Sequence, residues 1–288
     1  MSRLLQLCAV LCATGSFAGL CSAQDFHVPD SAVAGEEASI STTGSGKAIF
    51  YLLGPGVSRK TDITLGGEVQ LAPQDLRNAG DYLAIVCLGT CHSESFYVSA
   101  SKPADLTFLV HPSRVPVALA DAVSGVAFPF DQYRNLVLAT ENVNFRLTAK
   151  DVPLWSRSVR TQNGVAWFRT GSGKSAGPVQ VTASLDDLKT PRAMQQVASD
   201  PCNLRITGQR TPKGILVQTE PVHDCAGNVV PDGTMVTFTA TGSAGMGTVD
   251  APIKQGVARA QMEAPGPTTI SVASGVVMGN EIRVGAQP

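Results

Sequence analysis

Gly171, Ser172, Gly173, Lys174 and Ser175 are residue types that cradle phosphate, and His223, Asp224 and Cys225 carry the atoms of a thiol nucleophile and its base. Each pattern lacks a part that its chemistry needs. A phosphate loop wants a glycine where Phe168 stands and a helix after the lysine, but Pro178 and a β-type run follow. Gly44 to Lys47 is another short turn of the same composition. Neighbours on a strand point to opposite faces, whereas a nucleophile and its base must converge from separate elements. The histidines at 27, 92, 111 and 223 are scattered along the chain. Asp186-Asp187 and Glu36-Glu37 read as turns or solvated edges. Asp105, Asp186 and Asp200 form no dense ligand string of the EF-hand kind. No catalytic set, cofactor site or metal-ligand set is expected, so the chain reads as non-enzymatic.

The cysteines point to covalent staples instead. Of seven, Cys8, Cys12 and Cys21 lie in the amino-terminal leader, leaving Cys87, Cys91, Cys202 and Cys225. An even number in an exported chain predicts two disulfides. Cys87 and Cys91 bracket a short Gly89-containing loop, as at the base of a hairpin. The midpoint between Cys202 and Cys225 falls in the turn-forming run Thr211-Pro212-Lys213-Gly214, so a hairpin there would bring them opposite each other. The spacings do not suit a zinc site.

The elements that must position these residues are announced by an internal repeat. Asp131, Asn135, Val137, Val143, Phe145 and Leu147 recur about ninety residues later as Asp224, Asn228, Val230, Val236, Phe238 and Ala240, a length suited to a duplicated sandwich and too long for a solenoid unit. Asn163-Gly164-Val165-Ala166 is echoed by Gln255-Gly256-Val257-Ala258, and Gly177-Pro178 by Gly266-Pro267. In both copies apolar and polar residues alternate, which gives one buried and one wet face. Ahead of the repeat, short strand-like runs such as Ala48 to Leu52 and Tyr82 to Val86 alternate with turns and sustain no helical period. Tyr82, after Asn78 and Gly80, resembles the tyrosine corner of immunoglobulin sandwiches, although Ala84 stands where an antibody-type domain has a cysteine. The expected fold is all-β: three tandem immunoglobulin-like antiparallel β-sandwiches after a cleaved signal peptide. The expected boundaries are 1–23, 24–102, 103–199 and 200–288.

Asp224, Gly227, Asn228, Val230, Val236, Phe238, Gly256, Ala258, Gly266, Ile270 and Val272 together resemble bacterial Ig-like domains of the invasin/intimin type. The 103–199 copy matches more loosely, with Arg134 in place of the glycine and an insert carrying Trp155. The resemblance implies stiff spacers and platforms for adhesion; in it the Gly-Asn pair serves as a turn device. It is a pattern of fold, and fold alone does not carry function.

Residues 1–23 read as an export signal: Arg3, an apolar stretch to Leu20, and small residues before cleavage after Ala23. Two alternatives remain. Lipid attachment at Cys21 would want a small residue where Leu20 stands, and a retained span is interrupted by Gly15, Ser16 and Gly19. With 22 basic and 23 acidic side chains the chain lacks the positive surplus that nucleic acid demands. Charged residues are 16% of the chain against roughly 25% in soluble domains. With 28 glycines and 18 prolines, this suits short strands joined by tight turns. No later stretch is long enough to cross a bilayer, and no sorting tail is expected after the final strand run near Glu281.

Trp155, Arg157, Trp167 and Arg169 are the candidate partner contacts. If Ala258, Ala260 and Met262 face the core of one copy, Ala166 and Phe168 do so in the other, leaving Trp167 and Arg169 outward. Exposed Trp and Arg anchor interfaces and stack on sugars. The expected function is a structural or adhesive binding module at the cell envelope, exported to the periplasm, surface or medium, with a protein or glycan partner. The alternative is a periplasmic accessory factor that binds carbohydrate or an envelope polymer. Titration of the native oxidised protein should detect only traces of free thiol, and more than that contradicts the two bridges.

Overall fold

The computed structural model describes residues 25–285; the expected signal, residues 1–23, and its cleavage position lie outside them. The chain divides into two compact units, one ending at Ser99 and one beginning at Ala100. Among the described residues no helix is long and apolar enough to cross a membrane.

The first unit is one sandwich. Its strands are β1 (Phe26–His27), β2 (Ala32–Val33), β3 (Ala38–Thr42), β4 (Lys47–Gly54), β5 (Val57–Thr64), β6 (Glu68–Leu71), β7 (Gly80–Leu88) and β8 (Thr90–Ser99). One sheet has the order β1-β3-β6 and the other β2-β8-β7-β4-β5. Ile40, Phe50, Leu52, Leu71, Leu76 and Tyr82 fill the space between them. All but Leu76, which comes from the short 3-10 turn Pro73–Leu76, alternate with more exposed neighbours along their strands, so one register satisfies those strands at once. Tyr82 stacks on Phe96 at 5.5 Å between ring centroids.

The second unit holds two sandwiches in sequence. The first of them comprises β9 (Asp105–His111), β10 (Arg114–Pro116), β11 (Val123–Phe130), β12 (Asn142–Ala149), β13 (Val152–Arg160), β14 (Ala166–Thr170), β15 (Gly177–Leu185) and β16 (Leu188–Val197). Its sheets run β14-β11-β9 and β10-β16-β15-β12-β13. The last sandwich comprises β17 (Pro201–Cys202), β18 (Ile206–Thr211), β19 (Gly214–Thr219), β20 (His223–Asp224), β21 (Met235–Gly242), β22 (Gly245–Pro252), β23 (Arg259–Met262), β24 (Thr268–Ser274) and β25 (Val277–Val284). Its larger sheets run β18-β19-β23 and β22-β21-β24-β25, and the short β17 and β20 pair separately.

The antiparallel expectation needs one amendment. β2 pairs with β8 and β10 with β16 in parallel. In both sandwiches the opening stretch begins in the smaller sheet and crosses to the larger one, where it lies along the last strand. That crossing covers an edge of the larger sheet, which would otherwise present unpaired backbone groups.

The echoes in the sequence are echoes in geometry. Asn163 and Gly164 both have positive φ (50° and 76°), as do Gln255 and Gly256 (51° and 79°). These are two-residue turns whose backbone twist suits the flanking strands. Reciprocal backbone hydrogen bonds close them, Gln162 with Val165 and Lys254 with Val257. Gly164 is also required by space, since a Cβ there would lie 2.6 Å from Leu136 Cγ. Phe145 and Phe238 sit at equivalent core positions and are both buried. Phe145 packs on Phe168 at 4.7 Å and on Phe108 at 5.6 Å. Phe145→Ala is expected to lower unfolding free energy by about 3–5 kcal/mol in urea titration; a loss below about 1 kcal/mol would contradict this packing.

Candidate functional site

Two features stand out: a buried carboxylate repeated in both sandwiches of the second unit, and an exposed apolar row present in only one of them.

Asp131 and Asp224 are almost wholly enclosed, at 1% and 4% exposure. A buried carboxylate is tolerated only where donors replace its water. Oδ1 of Asp224 accepts from the Ala226 and Asn228 amides at 2.9 and 2.8 Å; Oδ2 accepts from the Ser199 amide and from Asn228 Nδ2, both at 3.0 Å. Asp131 repeats the arrangement. Its Oδ1 accepts from the Tyr133 and Asn135 amides, and its Oδ2 from the Ser101 amide and Asn135 Nδ2. Each aspartate thereby fixes its own turn together with the segment that leads into its sandwich. The turn needs a left-handed residue, supplied by Gly227 (φ 86°) in one copy and by Arg134 (φ 71°) in the other. The guanidinium of Arg134 lies 5.9 Å from the Phe130 ring centroid.

The Asn228 side chain reaches further. Its Oδ1 accepts from the Ala176 amide and its Nδ2 donates to the Lys174 carbonyl, both at 2.8 Å. The loop between β14 and β15 is the one whose composition suggests phosphate. Here it forms a socket through which the last sandwich holds its predecessor. No helix follows Lys174; β15 does. Sequence reasoning saw the Asp and Asn as a turn only.

His223 and Cys225 flank this aspartate and do structural work. Cys225 is bonded to Cys202, and His223 Nδ1 lies 3.1 Å from the Pro221 carbonyl. The β18–β19 hairpin closes between Thr211 and Gly214, and the short β17–β20 pairing sets the two cysteines side by side. Cys87 and Cys91 are also bonded, at opposed positions on β7 and β8. The Tyr82 hydroxyl donates to the Asn78 carbonyl at 2.9 Å. Burial pushes the Tyr82 phenol above its usual range, partly offset by that hydrogen bond.

The four candidate contact residues do not form one patch. Trp155 and Arg157 lie on β13 in the five-stranded sheet, whereas Trp167 and Arg169 lie on β14 in the three-stranded sheet. Trp155 turns inward, its ring 5.0 Å from Phe168, and it packs against the core. It shares the inward side of its strand because it pairs with the buried Leu147. Arg157 is exposed and borders a polar groove with Asn144, Arg146 and Thr182. Trp167 points out at 64% exposure while its neighbours Ala166 and Phe168 are buried.

Register explains what surrounds Trp167. Val126 on β11 is opposite Trp167 on one side and Leu109 on the other, giving an outward row Leu109–Val126–Trp167 across all three strands. The next row is His111–Ser124–Arg169. Leu109 is 57% exposed. The rows border an open groove of about 420 Å³. Arg169 Nε donates to the Asp121 carbonyl at 3.1 Å, which aims the side chain along the sheet edge. Leu109 is not legible from the sequence because it sits inside the unbroken apolar run Phe108-Leu109-Val110.

No protein-family model matches the chain, and no curated protein matches it. Among solved structures it is similar to the FdeC adhesin of Escherichia coli, with 14% identity, 92% of this chain and 97% of that one covered, and a TM-score of 0.65. It also resembles InvD of Yersinia pseudotuberculosis, with 10% identity, coverage of 90% and 97%, and a TM-score of 0.48. A third similar structure is the bacterial integrin-binding protein invasin, with 13% identity, coverage of 92% and 60%, and a TM-score of 0.49. The first likeness shows the fold alone, which the sheets above define as tandem Ig-like sandwiches.

Burial alone would raise the Asp224 carboxyl, but hydrogen bonds from Asn228, Ser199 and Ala226 outweigh it and hold the group below the usual carboxylate range. Asp131 is lowered in the same way, its burial outweighed by bonds from Asn135, Ser101 and Tyr133. A lowered native value stabilises the fold above the ordinary carboxylate range, and this contribution is lost as pH falls through the native value. Asp224→Asn should therefore cost about 1.5–3 kcal/mol at pH 7, the range for hydrogen bonds to a charged group. The gap from wild type should narrow in strong acid, as urea melts across pH would show. A gap that stays constant or widens in acid would contradict the ionised clamp.

Proposed function

We propose that this chain is an exported, non-enzymatic adhesive module of the cell envelope that grips a protein partner through the outer face of the β14-β11-β9 sheet. The modules would be 24–102, 103–199 and 200–288, with the second carrying the contact. One observation supports this above the rest: the outward Leu109–Val126–Trp167 row, flanked by Arg169, in which Leu109 and Trp167 are each more than half exposed. Interfaces centre on a Trp or Arg anchor with aliphatic neighbours and a polar rim, and this face supplies those parts in that order. FdeC, similar in fold, is an adhesin.

Carbohydrate or envelope-polymer binding is the second reading. The groove of about 910 Å³ on the outer five-stranded sheet, with Asn144, Arg146, Gln180, Thr182 and Lys189, offers it polar groups. It offers no aromatic platform, because Trp155 faces inward. The protein reading is therefore preferred.

The test is surface binding of the full chain to a panel of purified cell-surface and matrix proteins beside a glycan array, with wild type and Trp167→Ala. The expected result is a protein ligand whose affinity falls roughly thirtyfold in the variant, the size of an interface hot spot. Glycan binding that Trp167→Ala leaves intact would favour the polar groove instead. A variant that binds the protein ligand as tightly as wild type would remove this face from the account. Hydrolysis of an ester or peptide panel by the purified chain would contradict both readings.

A further inference from the structure

The fold brings together three side chains that the sequence keeps far apart. Asp25 immediately precedes β1, His27 lies on it, and Glu94 lies on β8 in the opposite sheet. Their ligand atoms (one carboxylate oxygen each from Asp25 and Glu94, one imidazole nitrogen from His27) all fall within 4.8 Å of one another. We propose that Asp25, His27 and Glu94 form a site for a divalent transition-metal ion of the zinc class, one that ties the amino-terminal strand to the larger sheet of the first sandwich.

The backbone around the three groups is fixed, so their convergence is a property of the fold. Phe26 is buried at 3% exposure and pairs with Thr42, while His27 pairs with Ser41. Alternation along the strand then sends His27 outward. The Asp25 carbonyl accepts from the Thr43 amide at 2.9 Å and from the Thr43 hydroxyl at 2.7 Å, and the Asp25 amide donates to that hydroxyl at 3.2 Å. The main chain of Asp25 is held and its carboxylate is left over. Glu94 shares its strand face with the buried Phe96 and Val98 and so stands at the mouth of the sandwich. One of its oxygens, Oε2, accepts from the Val28 amide at 3.3 Å. An open hollow of about 540 Å³ adjoins His27 and Glu94 and is bordered also by Asp30, Ser39 and Ser41.

The gap between the groups matters as much as their proximity. No hydrogen bond or ion pair joins them; among the described residues the one ion pair within 4.0 Å is Arg59–Asp75. Two carboxylates therefore face an imidazole with no Lys or Arg between them, an arrangement that a cation relieves. At the centre of a triangle of that size an ion would sit at most about 2.8 Å from each atom, so each ligand would move inward by roughly 0.7 Å to reach a zinc bond length of about 2.1 Å. Rotation of exposed side chains covers that distance. One nitrogen and two oxygens form a borderline donor set that suits zinc, with water completing the shell. Calcium prefers six to eight oxygens and gains little from an imidazole.

The consequence is mechanical. β1 has only two residues and pairs only with β3. An ion shared with Glu94 would fasten it to β8 in the other sheet. The sequence could not announce this, because the third ligand stands in a different strand and no motif spacing links it to the first two.

Isothermal titration of the untagged full chain, stripped with chelator, should show saturable binding of one zinc per chain. His27→Ala and Glu94→Gln should each weaken it by at least about tenfold, since even losing a partner outside the coordination shell costs 10–100-fold. His223→Ala should bind as wild type does, and calcium should not compete. Zinc should also raise the melting temperature of wild type and leave that of His27→Ala unmoved. Without metal, His27→Ala should melt with wild type, which separates loss of a ligand from loss of fold. Absent saturable binding, binding unchanged in both variants, or a response to calcium in place of zinc would each overturn the assignment.

Discussion

A carboxylate shut away from water must be surrounded by donors, and the second unit of this protein is organised around two of them. Asp131 and Asp224 each accept from two amides of their own turn, one amide of the incoming segment and one asparagine side chain. Deleting any donor leaves charge without compensation in a place where compensation is costly to replace. The turn, the incoming segment and the start of the next strand are therefore fixed by one side chain. In the last sandwich Asn228 extends the same network to the Lys174 and Ala176 backbone of the preceding one. A motif that repeats for reasons of local folding also joins one module to the next.

The parts of this arrangement that obey a period could be read in the sequence. Val236, Phe238 and Ala240 alternate with polar neighbours, and all three are buried. Asn163-Gly164 announces a two-residue turn because both positions need positive φ. The outward direction of Trp167 followed from register with the second copy, since a one-residue slip would have reversed every side chain. Trp155 was harder. Its strand lies at the edge of a sheet, where the inward side is half covered and burial does not impose a clean alternation. The Asp131 and Asp224 carboxylates were illegible for a different reason: a polar residue in a turn gives no sign that the fold will close over it. Ligands drawn from separate sheets, such as His27 and Glu94, leave no local pattern at all.

Scaffold and function separate along the same line. Residues common to both copies make turns and cores and explain why the chain folds, and in the last sandwich Asn228 adds the joint. Residues private to one copy are free of those duties. Leu109, Val126 and Trp167 cover nothing in their own sandwich, yet they align across three strands as a contact surface would. Their counterparts in the last sandwich are Thr207, Gln218 and Arg259, which pair across β18, β19 and β23, so the apolar row is not repeated. The Cys202–Cys225 bridge is likewise private, and it staples the ends of the strands that carry Asp224.

The central claim is that Asp224 and Asn228 act as a joint between the two sandwiches of the second unit and not merely as a turn. Amide hydrogen exchange of the native protein at neutral pH tests it most directly, read at Ser199 and Ala176, whose amides donate to Asp224 and Asn228. Both should exchange far more slowly than amides of an unstructured peptide, and Asn228→Ala should release Ala176 while the core strands stay protected. Exchange at peptide rates at both positions in the wild type would contradict the joint.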